Sequence, residues 1–200
     1  MNITIIFQIA IIKIGYKQES KMKTAEDQLS TYKSVHLNKK NIRTHFVGVP
    51  FIIWALSLLM SLVAGEINLF EQTYTISLAM VFFSLVILYY VKLHWRLSIG
   101  LLLFILPVVY STHKVAAIEN SYLIAIAVFV IGWVIQFIGH HYEKAKPAFV
   151  DDLNQLLIGP FFLAAEVYFM LGLEKDLEKT ITPIAVAKRR TLENNNKKPN

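Results

Sequence analysis

The sequence predicts an all-α integral membrane protein, a bundle of four transmembrane helices with a re-entrant or interfacial helix near the C-terminus. Three observations point there. Hydrophobic residues make up 55% of the 200-residue chain and charged residues only 17%, with a mean hydropathy of +0.48. Several apolar runs approach the ~20 residues that cross a bilayer as a helix. The polar connections between them (GEINLFEQT, KLHWR and THKVAAIENS) are short, which favours antiparallel neighbours. Neither strand alternation nor an internal repeat stands out.

The elements follow in order. Residues 1–24 read as an N-terminal extension. Their apolar part is short and interrupted by Lys13, no cleavage site follows, and Met22 opens a more ordinary start. Glu26 to Tyr32 begins a short helix, after which Asn38, Asn41, Gly48 and Pro50 read as turn and helix-start residues. The spans are expected at Val47–Ala64, Tyr74–Val91, Leu97–Ser111 and Tyr122–Gly139. A further apolar segment, Leu156–Leu173, carries Pro160 and, at its middle, Glu166. A charge at mid-bilayer costs ~2.5–3.5 kcal/mol on insertion scales, so this segment reads as re-entrant or interfacial. Residues 25–173 then form the membrane domain, and 174–200 a basic polar tail expected to be largely disordered.

Charge sets the orientation. In the four-span arrangement 19 of the 20 Lys and Arg fall on one side and only Lys114 on the other, which places both termini in the cytoplasm. Small size and the lack of a retention signal favour a bacterial inner membrane over an endoplasmic reticulum. Five of the six histidines, His36, His45, His94, His140 and His141, share that cytoplasmic face, and His113 does not.

Composition excludes several chemistries. With 0 cysteines there is no disulfide, thiolate ligand or cysteine nucleophile, so a metal would need His, Asp or Glu. HExxH, GxSxG and Gly-rich phosphate motifs are missing. The basic residues lie at membrane edges without a nucleic-acid motif, so no nucleic-acid partner is expected. The spans hold no ionisable residue, which argues against a cation transporter. Nothing sets an oligomeric state.

Two clusters carry the remaining chemistry. In SVHLNKKNIRTH, His36 and His45 are nine apart, on opposite faces of any continuous helix. They converge only if the chain turns at NKKN. In GHHYE, His140 and Glu143 are three apart and share a helix face, while His141 points elsewhere. Each has a plainer reading as a basic or interfacial membrane-edge segment. Glu166 is either a wet-face carboxylate or a buried partner to a histidine or a basic residue. Together the clusters would suit Fe(II), Zn or Mn.

Tyr32–Pro50 (YKSVHLNKKNIRTHFVGVP) and Gln136–Glu166 (QFIGHHYEKAKPAFVDDLNQLLIGPFFLAAE) resemble the small multi-span family that includes the fungal 2-hydroxy fatty acid dioxygenase of phytosphingosine breakdown. The resemblance covers about Gln28–Leu173. It implies an Fe2+-dependent enzyme that uses O2 to shorten a 2-hydroxy fatty acid by one carbon at the lipid bilayer. By its motif, His36, His45 and His140 become the metal-ligand candidates, and Glu143 and Glu166 match the family's acids. Lys39, Arg43, Lys144 and Lys146 stand where they would draw in the substrate carboxylate. The rival from another class is a non-catalytic lipid-binding or scaffold protein, which would need no metal.

Overall fold

A capping box opens the described chain. In the computed structural model, which describes residues 23–144, 146–148 and 152–197, the Thr24 hydroxyl accepts from Asp27 N and the Asp27 carboxylate from Thr24 N. This pair starts helix α1, Ala25–Ser34. All but the last two residues of the expected N-terminal extension lie outside the described residues.

Helix α2, Lys39–Ser61, starts at the Asn38 cap, whose side chain accepts from Lys40 N at 2.9 Å. It begins two turns before the expected span, and Gly48 and Pro50 lie inside it rather than at its start. Proline has no N–H to donate, but the turns on either side carry the helix through.

A β-hairpin follows, which the sequence reading missed. Strand β1, Ala64–Leu69, pairs antiparallel with β2, Gln72–Ser77, and Leu69 lies opposite Gln72. Phe70 and Glu71 have φ of 50° and 62°, the left-handed pair of a two-residue hairpin turn. The alternation is present but brief: Ile67, Leu69, Tyr74 and Ile76 share one face, and Glu66, Asn68, Thr73 and Thr75 the other.

Helix α3, Leu78–Val115, runs through both of the next expected spans. It is broken at His94, whose φ of −162° and ψ of 98° are extended. Leu78 N bonds Val63 O at 2.8 Å, so α3 starts at the far end of α2. Its other end is there too, because the Thr112 hydroxyl meets that of Ser57 at 2.7 Å. A straight helix of 38 residues would separate its ends by about 57 Å. The chain therefore reverses at His94, and Ala79 and Phe83 of the first arm pack with Ile105 and Val108 of the second. The loop expected at KLHWR shrinks to one residue. His94 O accepts from the Ser98 hydroxyl at 2.9 Å, Arg96 O from the Tyr168 hydroxyl at 2.8 Å, and Arg96 pairs with Glu174.

Helix α4, Ser121–Glu143, lies antiparallel on α2. Glycines set the approach: a Cβ on Gly132 would stand 3.1 Å from Gly48 O, and one on Gly139 2.0 Å from Thr44 Oγ1. Helices α2, α3 and α4 are long and apolar enough to cross a membrane. Helix α5, Gln155–Met170, is shorter. It packs on α1 through Phe162 and on α3 through Phe161, and both ends reach the His94 reversal. Leu157 O there accepts from the Tyr90 hydroxyl at 2.5 Å.

The tail expected to be disordered is helix α6, Lys175–Lys197. Leu177, Ile181 and Ala185 recur every four residues and are buried. Lys188 Nζ donates to Asp27 O, Ser30 Oγ and Thr31 Oγ1 on α1.

The α2–α4 contact yields a direct test. Gly139→Ala should cost about 1–3 kcal/mol, because Thr44 and Asn41 must move to admit the methyl. A lowered thermal midpoint in detergent would show it, and an unchanged one would mean the helices have slack.

Candidate metal centre

Three elements deliver three imidazoles to one place. His36 lies just beyond α1, His45 in the second turn of α2 and His140 in the last turn of α4. One nitrogen from each lies within 4.8 Å of the others. His36 and His45 are 1% and 2% exposed, and His140 is partly buried. The turn that the spacing required is the Leu37–Asn38 step between α1 and α2.

Backbone carbonyls fix two of the rings. His36 Nδ1 lies 2.7 Å from Tyr32 O and His45 Nδ1 2.9 Å from Asn41 O, each four residues back. A carbonyl only accepts, so both Nδ1 atoms carry the proton. Both Nε2 atoms are then bare, and they face each other at 3.0 Å. Burial, followed by the charge His45 would carry, pushes the pKa of His36 well below the ordinary histidine value, so the alternative of a shared proton is disfavoured. Two confronted lone pairs need a cation between them. His140 Nδ1 is also buried without a partner among the described residues. The donor set therefore fits a divalent transition metal held by three imidazoles. Tyr32 stacks flat on His36 with centroids 4.0 Å apart and fixes the ring plane.

Glu143 is not in the cluster. Its Oε1 accepts from Leu37 N and Arg189, and its Oε2 from Asn38 N and Asn41 Nδ2, at 2.9–3.2 Å. The carboxylate thus sits at the positive N-terminal end of α2 and clamps the loop that carries His36. Glu166 pairs with Lys33 of α1 at 2.5 Å, so of its candidate partners the basic residue is the one it meets. His141 is exposed. Lys39, Arg43, Lys144 and Lys146 are exposed at the same end of the bundle.

Behind the histidines lies a cavity of about 440 Å3. Its wall is mainly apolar: Val49, Ile52, Ile53 and Leu56 along α2, with Phe83, Ile105 and Trp133 opposite. From His45 to Leu56 the wall rises ~16 Å along the helix axis. Gln136 and Gln155 are polar exceptions, and both have buried amide atoms without partners among the described residues.

The family model for 2-hydroxy-palmitic acid dioxygenase Mpo1-like proteins matches residues 22–171. The chain belongs to the Mpo1-like family. It is 31% identical over 169 residues to the 2-hydroxy-palmitic acid dioxygenase MPO1 of Saccharomyces cerevisiae, an alignment covering 82% of this chain and 91% of that protein. No solved structure matches it. The expected family resemblance is thereby established, and α6 lies beyond the part that the Mpo1-like model matches.

Sequence reading missed Tyr32, Asn41, Gln136 and Arg189 as parts of this centre. Three of them stand four residues before a cluster histidine, a spacing that puts them one turn away. Arg189 left no such signal, because it lies 46 residues from Glu143.

Removing the Glu143 clamp should be severe. Glu143→Ala strands two backbone N–H groups, Asn41 and Arg189, and should cost about 3–5 kcal/mol. Arg189→Ala leaves the other three donors in place and should cost less. Denaturant unfolding of both variants measures the difference, and equal costs would contradict the clamp.

Proposed function

We propose that the protein is an Fe2+-dependent dioxygenase that shortens 2-hydroxy fatty acids by one carbon at the cytoplasmic face of a membrane. The observation that carries this reading is the pair of bare, confronted Nε2 atoms of His36 and His45, with His140 beside them, at one end of an apolar cavity. The membership in a family described by 2-hydroxy-palmitic acid dioxygenases, and the name of the yeast relative, give the substrate class. A purely lipid-binding protein would need the cavity but not the three imidazoles.

In this reading the two arms of α3 cross the bilayer separately, so that α2, α3 and α4 make four crossings. Helix α5 lies in the interface across the His94 reversal, consistent with its 16 residues and the contacts at both of its ends. The histidines, both termini and most basic residues then share the cytoplasmic side.

His36, His45 and His140 would hold the Fe2+, whose bound form supplies O2 activation and polarises substrate oxygens. Protein groups do the rest. The Tyr32 and Asn41 carbonyls keep both Nδ1 atoms protonated, which leaves both Nε2 atoms free to bind. Glu143 holds the His36 loop in register with α4. The apolar wall takes the acyl chain, each buried CH2 contributing ~0.8 kcal/mol, and keeps bulk water from the reacting carbons. Lys39, Arg43, Lys144 and Lys146 at the cytoplasmic edge attract the carboxylate. The overall change balances with O2 as sole oxidant: R–CH(OH)–COOH and O2 give R–COOH, CO2 and H2O. The bond broken joins C1 and C2.

Purified protein supplied with Fe2+ and 2-hydroxypalmitate in air should yield a fifteen-carbon acid by mass spectrometry, and none without the metal. His140→Ala should lose both bound iron and product while its membrane insertion is unchanged. Full activity in that variant would remove His140 from the site.

A further inference from the structure

Among the described residues, Gln136 is the side chain with two buried polar atoms left unpaired. It is 4% exposed, lines the cavity, and has neither amide atom hydrogen-bonded among the described residues. It stands one turn before His140 on the same face of α4. The space is tight around it: a Cβ on Gly48 would lie 3.1 Å from its Nε2. A buried carboxamide without partners destabilises a fold, whereas Leu or Met would fill the space with no polar group left over. The other cavity glutamine is partly satisfied, since Gln155 Nε2 donates to Gln28 Oε1 at 2.9 Å.

Its chemistry is specific. A carboxamide presents one donor and one acceptor side by side. A fatty acid carboxylate only accepts, so an unsubstituted acid would satisfy Nε2 and leave Oε1 buried and bare. A 2-hydroxy acid carries a hydroxyl proton on the neighbouring carbon, and it satisfies both. We propose that Gln136 reads the 2-hydroxyl group: Nε2 donates to the substrate carboxylate and Oε1 accepts the hydroxyl proton. This deepens the 2-hydroxy acid reading above and rests on it. A site that hydrogen-bonds a substrate hydroxyl rejects the analogue lacking it, because its own polar atom is then left unpaired. Gln136 is therefore a specificity-determining residue.

The test is equilibrium binding of 2-hydroxypalmitate and of palmitate to the metal-free full chain in detergent, read by the fluorescence of Trp133 in the cavity wall. Wild type should prefer the 2-hydroxy acid by about tenfold or more. Gln136→Met should bring the two acids within about twofold by weakening the 2-hydroxy acid alone, and should melt higher than wild type without ligand. Gln136→Leu serves as the second variant if Met packs poorly. Preference kept in both variants, while wild type still forms shortened acid, overturns the role of Gln136 alone. No preference in wild type overturns this inference, and if no shortened acid forms either, the substrate reading falls with it.

Discussion

The geometry of the centre hangs on one carboxylate. Glu143 ends α4 and accepts from the Leu37 and Asn38 N–H groups that lead into α2, so the negative group and the positive helix end are joined across two elements far apart in sequence. That contact sets the axial register of α4 against α2, and with it the height of His140 relative to His45. It also tethers Leu37 and Asn38, which places His36. The glycines along α2 and α4 bring the axes close enough for the register to matter. The same carboxylate then recruits Arg189, so α6 is fastened to the site rather than merely appended.

Much of this was legible in the chain. The long apolar helices followed from hydropathy, and His140 with Glu143 on one helix face followed from a spacing of three. His36 and His45 required a turn between them, and Asn38 supplies it by capping α2. Other features were hidden for physical reasons. Pro50 reads locally as a breaker, yet a helix already started at Asn38 runs through it. The strands are six residues each, too short for alternation to stand out beside the apolar runs. In α6 the apolar period of Leu177, Ile181 and Ala185 is diluted by lysines, arginines and asparagines. Glu143 could be placed on a face but not assigned a task, because two of its partners are backbone groups more than 100 residues away.

The centre departs from the economy of the rest of the fold. Elsewhere interior polar side chains find partners, as Ser57 does with Thr112 and the partly buried Trp54 with Ser111. Around the histidines and the cavity, Asn41 Oδ1, His140 Nδ1, Gln155 Oε1 and the Gln136 amide have none among the described residues. Unsatisfied groups of His140, Gln136 and Gln155 on one cavity wall mark a surface shaped for something other than its own stability.

The one-residue reversal at His94 has a consequence for how the chain is made. With no loop to separate them, the two arms of α3 are close from the moment they emerge, and Ala79 can meet Val108 without any distant part of the chain. The two arms pair as a local unit, with Ala79 and Phe83 set against Ile105 and Val108. The peptide groups freed by the bend sit where the Ser98 and Tyr168 hydroxyls serve them. An added residue at the bend would rotate one arm against the other by about 100° rather than lengthen a loop.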